Sequence, residues 1–459
     1  MTAPTLAPEV SEAAEIAART VREWPRGEPI RLAKRTSNLF RSRAEVTQRL
    51  DLSPFTGVFS IDPVARTAVV GGLTTYEDLV DATLPHGLVP LCVPQLRTIT
   101  LGGAVTGLGI EAASFRNGLP HESVRSMEVL TGAGEVVRAT PDGPHRDLFH
   151  GFANSYGTLG YALLIEIDLE PVTPQMVLRH TPFGNSQDIS RAITEIVASR
   201  SLDGDRVDYV DGTVFSGGEM YLTTARYVED VAECSDYTGM EIYYRSIQRR
   251  RTDRLSTLDY LWRWDTDWFW CSRAMGVQKP AIRRLWPKSK LRSDVYWRIV
   301  AYERRHNIMN RIAQRRHRPL REAVVQDVEV PIDALADFLE FFHRDVGIEP
   351  VWVCPLRQRD PHAVWPLYQF DPTTTYVNVG FWSSVELPPG VDPAAGCVNR
   401  AIERTVTELG GRKSLYSTSY YDRDEFYDIY GGAAYRGLKD RYDPERRLLD
   451  LYDKCVRSS

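Results

Sequence analysis

The sequence predicts an α+β protein of more than one domain. Three observations carry that expectation. The chain has 459 residues, more than a single hydrophobic core usually organises. From about residue 28 to residue 169, short β-type runs alternate with glycine-rich turns, and one clear helical segment interrupts them. From about residue 174, longer helical segments alternate with strands. The expected division is a first domain over 1–173, a second over 174–410, and a C-terminal segment, 411–459, returning to the first.

Residues 11–24 space small apolar residues as an amphipathic opening helix does. Segments 28–34, 57–61 and 67–71 read as strands. Residues 75–84 read as a helix, with Thr74 on the N-cap side and Pro85, His86 and Gly87 closing it. Strands are expected at 124–130, 136–139 and 161–169, the last closed by Glu170 and Pro171. In the second region a helix is expected at 186–200, strands around 206–228, a strand at 323–330, a helix at 332–344, and strands at 350–356 and 375–382. The tail from about 414 reads as helical and is rich in Tyr and Arg.

Composition narrows the function classes. Apolar content of 43% and charged content of 25% are ordinary for a globular protein. A net charge of −5 does not suggest a nucleic-acid binder. No run of 18 apolar residues suggests a spanning helix, and the first 24 residues lack a basic region followed by an apolar core. The six cysteines are scattered without metal spacing, and no HExxH occurs among the nine histidines. Reduced, mostly buried thiols in a cytoplasmic protein without a metal are therefore expected.

Residues 100–112 read TLGGAVTGLGIEA. Glycines 102, 103, 107 and 109 let backbone approach a ligand closely, and free N–H groups in such turns suit a pyrophosphate. Gly107–Ala112 formally matches GxGxxA. A dinucleotide fingerprint would require a strand before it and a helix after it, but a second glycine pair precedes it. Tyr156, Gly157, Thr158, Leu159 and Gly160 form another small-residue turn. Lys34, Arg35, Thr36, Ser37 and Asn38 offer cations, hydroxyls and an amide after a strand. Each of these segments could alternatively be a purely structural turn.

Together and in order, these segments resemble the flavoprotein family of vanillyl-alcohol oxidase and p-cresol methylhydroxylase (PCMH), and more closely the 24-dehydrocholesterol reductases. The resemblance is carried by VPQLRTITLGGAVTGLGIEAASFRNGLPHE, SYGTLGY, VVQDVEVP, PVWVCPL and YYDRDEFYDIYGG. It implies a two-subdomain PCMH-type FAD-binding domain plus an α+β cap, or substrate, domain. By position it places Thr36, Ser37 and Asn38 at the pyrophosphate. Thr100, Gly102, Gly103, Gly107 and Gly109 would flank pyrophosphate and flavin. Asn117 and Gly118 would lie near the ring, and Gly157, Thr158 and Gly160 would support the isoalloxazine side. No histidine occurs before His86, so the FAD is expected to be noncovalent.

The resemblance also implies reduction of an isolated C=C bond with NADPH as co-substrate. Among bacterial relatives it points to the reductases of 10-methylene fatty-acyl chains in tuberculostearic acid synthesis, with a lipid methyltransferase acting upstream. A sterol delta-24 reductase-like enzyme and an FAD-dependent alcohol or sugar oxidase or dehydrogenase are the alternatives. Alkene reduction needs a general acid opposite the hydride source. In VVQDVEVP, alternation puts Val325, Asp327 and Glu329 on one face and Gln326, Val328 and Val330 on the other. Asp327 is the first candidate, although an exposed strand carboxylate would read alike. Tyr376, Asn378 and Tyr420 are further candidates, and Glu111 is read as structural.

Residues 245–321 hold 21 Lys and Arg against 6 Asp and Glu, a net of +15 that leaves the remainder at −20. Six of the ten tryptophans fall there: Trp262, Trp264, Trp268, Trp270, Trp286 and Trp297. Cations and interfacial indoles together suggest peripheral contact with phospholipid at the inner face of the membrane. The competing reading is a set of core helices whose basic faces pair with the acidic first domain.

Overall fold

The computed structural model describes residues 8–34, 40–41, 48–315 and 318–456, apart from the Arg304 side chain. The opening helix, Pro8–Arg22, buries Val10, Ala14, Ala17, Ala18 and Val21 along one side. Six strands follow: β1 (Val58–Asp62), β2 (Thr67–Gly71), β3 (Leu88–Pro90), β4 (Val124–Thr131), β5 (Val136–Ala139) and β6 (Gly160–Pro171). They form one sheet in the order β1-β2-β6-β4-β5, with β3 also paired to β6. Every pairing is antiparallel. The expected strand at 28–34 contributes only an isolated bridge, Leu32 to Leu50.

The segment read as a glycine loop is in fact a short helix, Leu101–Gly107. Glycine is a poor helix former, so local preference argues against this. The Thr100 hydroxyl accepts from the Gly103 N–H at 3.2 Å and caps the first turn. Close packing accounts for the glycines. A Cβ on Gly102 would lie 2.7 Å from the Gly72 carbonyl oxygen.

The second sheet contains β7 (Gln175–Phe183), β10 (Tyr209–Ser216), β11 (Glu219–Val228), β12 (Thr252–Ser256), β13 (Arg321–Pro331), β14 (Val351–Leu356), β15 (Tyr376–Glu386) and β16 (Arg412–Lys413). The pair Ser201–Leu202 and Asp205–Arg206, β8 and β9, stands apart as a small ribbon. The eight-stranded order is β12-β7-β11-β10-β14-β15-β13-β16. Helices Ser186–Ser199, Leu335–Phe341 and Cys397–Glu408 cover one face. There Val324, Val328 and Val330 join Phe338, Phe342, Ile402 and Val406 in a buried cluster. The opposite face turns toward the first sheet. The tail also packs on the first sheet's domain: Lys439 Nζ donates to the Thr158 carbonyl at 2.7 Å, and Ala133 N donates to the Tyr442 carbonyl at 2.9 Å.

The basic aromatic stretch divides in two. Trp262, Trp264, Trp268 and Trp270 are 1–4% exposed and belong to the core, so these indoles do not reach a membrane interface. Aromatic packing holds them: Trp264 stacks on Phe269 at 4.8 Å, and Tyr243 meets Trp264 edge-on at 4.9 Å. Exposed cations flank these indoles at Arg249, Arg251 and Arg273, and more lie further along, on helices Ser293–His306 and Ile308–Arg315 and the turns before them. Among the described residues no helix is long and apolar enough to cross a membrane, and all six cysteines are free.

Candidate active site

A cavity of about 760 Å³ runs between the two sheets. Its floor is the Leu101–Gly107 helix with Gly157, Gly160 and Tyr161. Its cationic lining is Arg31, Lys34, Arg41, Arg49 and Lys454. Its aromatic lining includes Trp268, Phe269, Trp352, Trp382 and Tyr416. Among the described residues two carboxylates line the cavity, Asp327 and Asp453. Lys34 Nζ donates to the Thr100 hydroxyl at 3.1 Å, so one cation stands directly at the helix start. Burial, then the neighbouring Arg41, pushes the Lys454 ammonium down to about 7. An anion placed here would reverse that shift, because opposite charge favours the protonated amine.

Four residues lining the cavity hold left-handed backbone without being glycine: Leu108 (φ 59°), Tyr156 (φ 50°), Trp268 (φ 46°) and Phe269 (φ 59°). Each such residue costs on the order of 1–3 kcal/mol and persists only where its surroundings impose it. The Phe269 N–H donates to the Trp264 carbonyl at 2.7 Å and the Tyr156 hydroxyl to the Gly107 carbonyl at 2.9 Å. These bonds hold two aromatic rings against the cavity.

Beside the aromatic lining the strand parity expected from the sequence is met. Asp327 lies on the cavity face of β13, opposite Gly380 of β15. A Cβ on Gly380 would come within 2.3 Å of Asp327 Oδ1, so glycine makes room for the carboxylate. Asn378 Nδ2 donates to Asp327 at 3.1 Å, and Tyr416, which accepts from Trp382 Nε1 at 2.9 Å, also bonds the carboxylate. Burial raises Asp327 to about 6 against these two bonds. Two residues on, Glu329 is buried with Tyr368 and Ser414 donating to it. Burial raises it to about 8. Ser414 itself lines the cavity.

The structure brings Thr100, Gly102, Gly103, Gly107, Gly109, Gly157, Gly160, Asp327 and Asn378 to this cavity. Thr36, Ser37 and Asn38 lie outside the described residues. Thr158 is buried beneath the wall, its hydroxyl on the Ser155 carbonyl. Asn117 is set aside from the lining with its amide on the Leu91 carbonyl, and the Gly118 turn packs against Glu122. Tyr376 stacks on Phe370 with its hydroxyl accepting from Asp371 N, and Tyr420 packs over Gly396 and Arg400. Neither tyrosine lines the cavity. Glu111 is buried 3.6 Å from Arg263, which pairs with Asp211 at 2.9 Å. Asp211 also accepts from Trp264 and from Trp352, so this buried charge pair orients one of the cavity indoles. Sequence reasoning missed Arg31, Arg41, Lys454 and the aromatic wall, because these come from seven separate places in the chain with no shared motif.

Comparison with known proteins agrees with this geometry. Residues 3–140 match the FAD binding domain family. The chain is 25% identical to the Delta(24)-sterol reductase of Arabidopsis thaliana, with 89% of this chain and 76% of that protein covered. Against the Delta(24)-sterol reductase of Rattus norvegicus it is 26% identical over 85% and 73%. A shorter match, 32% identical over 35% of this chain, is to the decaprenylphosphoryl-beta-D-ribose oxidase of Mycolicibacterium smegmatis.

The donor set suits FAD. A dinucleotide needs cations for its diphosphate and a flat apolar surface for its ring, and the cavity lining offers both. Arg41 Nη2 and Arg31 Nε are buried polar atoms without a partner, donors available to an anion. No histidine is among the described residues lining the cavity. Acid or heat denaturation should therefore release free FAD into the supernatant, and flavin retained on the precipitated chain would disprove noncovalent attachment. A side chain on Gly103 would point at the Thr100 hydroxyl, 2.9 Å from its Cβ, and toward Lys34. Gly103→Val should yield folded protein with little or no FAD, read as the ratio of flavin to protein absorbance. Residues 3–140 thus match an FAD binding domain, and the chain is an FAD-dependent oxidoreductase similar over most of its length to the Delta(24)-sterol reductases.

Proposed function

We propose that the protein reduces an isolated C=C bond in a lipid, converting a methylene-branched fatty-acyl chain to the methyl-branched one, with NADPH as electron source. The observation that carries this reading is the pairing of one protonatable carboxyl with an otherwise aromatic wall. Among the described residues that line the cavity, Asp327 is the carboxylate bonded to this wall, through Tyr416. FAD supplies the hydride once reduced. Asp327 supplies the proton, to the terminal CH2 of the alkene, so that positive charge develops on the more substituted carbon that takes the hydride. Aromatic faces favour such charge in a desolvated site, and the apolar wall accepts an unfunctionalised chain. Asn378 and Tyr416 hold the carboxyl in place. The acyl chain would come from membrane phospholipid, after a lipid methyltransferase had installed the methylene.

The likeness to Delta(24)-sterol reductases over most of the chain supports alkene reduction and leaves a sterol side chain as the second substrate class. The partial likeness to decaprenylphosphoryl-beta-D-ribose oxidase favours an alcohol-oxidising reading instead. The two chemistries separate under anaerobic mixing. NADPH alone should bleach the flavin, and a methylene-branched acyl lipid should then restore its colour with formation of the methyl-branched product. Bleaching by an alcohol or sugar, with none by NADPH, would overturn the proposal. Cells lacking the gene should accumulate the methylene-branched acid.

A further inference from the structure

Fifteen large apolar side chains are exposed on the described molecule, and seven of them fall between residues 282 and 312. Leu285 is 85% exposed, Met309 63% and Tyr302 61%. Scattered exposed apolar residues mean little, but a contiguous set rimmed by charge marks an interaction surface. The helix Ile308–Arg315 has no buried residue at all. Ile308, Met309 and Ile312 lie on one arc of it at positions i, i+1 and i+4, while Arg311 and Arg315 flank that arc. Its polar side is fastened to the protein: Asn310 Nδ2 donates to the Arg321 carbonyl at 3.3 Å and Asn310 Oδ1 accepts from Arg321 N at 3.2 Å. The anchoring leaves the apolar arc facing outward.

Charge identifies the occupant. Residues 279–318 contain 13 Lys and Arg against only Asp294 and Glu303. Among the described residues Arg284, Lys290, Arg311 and Arg315 have no carboxylate within 4 Å. A twofold contact between copies would lay this cationic patch on itself, and like charges so placed repel. An anionic bilayer satisfies both features. Headgroups pair with the arginines while Ile308, Met309 and Ile312 enter the acyl boundary. The long arginine side chains can keep their charge at the headgroup level as the apolar arc sinks.

We propose that the face formed by Ile308, Met309 and Ile312 of the Ile308–Arg315 helix docks on a bilayer containing anionic phospholipid. The face is linked to the cavity from two sides. Tyr296, on the helix before it, donates to the Thr266 carbonyl, two residues from Trp268. Arg321, which holds Asn310, begins the strand that carries Asp327, a distance of roughly 20 Å along six strand residues. Docking would thus bring lipid chains to the rim of the cavity. This link deepens the lipid-substrate reading and rests on it, whereas the docking stands on the surface alone.

The test is sedimentation of the FAD-loaded protein with vesicles, which requires no turnover. Vesicles of 30:70 phosphatidylglycerol and phosphatidylcholine should capture the protein at low salt, and pure phosphatidylcholine should capture far less. The double variant Met309→Glu/Ile312→Glu should lower the partition coefficient roughly tenfold or more, and Arg311→Glu/Arg315→Glu should do likewise while flattening its salt dependence. All four side chains are exposed or flank exposed ones, and unchanged flavin content establishes that the variants fold. Three results would each overturn the proposal. They are no capture at low salt, capture of the Met309/Ile312 variant equal to the parent, and conversion of a dimer to a monomer by that variant. Vesicle binding without turnover on any lipid would retain the docking face and remove only the substrate reading.

Discussion

Asp327→Asn is expected to slow alkene reduction by roughly two to four orders of magnitude, the range for a lost general acid. FAD should remain bound, and bleaching of the flavin by NADPH should change little. Asparagine keeps the shape of the carboxyl and its contact with Asn378 or Tyr416, but it has no acidic proton. The pH profile makes the prediction sharper. A donor must be protonated, and Asp327 is raised to about 6 by burial. Rate constants for the proton-dependent step should be highest below about pH 6 and fall as pH rises through that value, up to tenfold per unit. The variant should lack that limb. Near-normal turnover, or a falling limb that survives in Asp327→Asn, would return the carboxyl to a structural role.

Asp211→Ala should cost about 3–5 kcal/mol of stability, the penalty for leaving a buried charge without its partner. Arg263 and Asp211 are both almost wholly buried, and the nearest other carboxylate to Arg263 is Glu111 at 3.6 Å. Glu111 is a poor substitute, since burial raises it to about 7. The change also strips the acceptor from two indole N–H groups, Trp264 and Trp352. Replacing both charges, as Asp211→Leu with Arg263→Met, should be milder than the single change, because no ion is left unpaired. Urea unfolding followed by tryptophan fluorescence reads both effects. A single variant with an unchanged midpoint would mean that the pair contributes nothing.

Much of the first domain was legible because its signals are local. The run of alternating residues at 161–169 becomes β6, and Pro85 with Gly87 closes the helix before β3. The glycine segment was legible as a ligand floor but not as a helix, since propensity points the other way and tertiary packing decides. Parity placed Asp327 on the cavity face. It also set Tyr376 and Asn378 on one side of β15, yet only Asn378 lines the cavity. The strand end carrying Tyr376 lies beyond the lining, beside Phe370, and period-two reasoning carries no information about position along a strand. The tryptophans illustrate a second limit. Composition placed six indoles among cations, but whether an indole faces lipid or core depends on partners as distant as Trp352 and Trp382.

Strand β13 carries two kinds of demand in alternation. Asp327 answers to the chemistry of the cavity and Glu329 to its bonds with Tyr368 and Ser414, while Val324, Val328 and Val330 answer to the volume left by Phe338, Phe342, Ile402 and Val406. Saturation mutagenesis of this strand should therefore give a tolerance profile with a period of two. Odd positions would be sensitive to charge and proton affinity but indifferent to a methylene, and even positions the reverse. Divergent descendants could then retune substrate chemistry at Asp327 without disturbing the helices behind. A one-residue insertion, by contrast, would exchange the two sets of demands at once and leave neither satisfied.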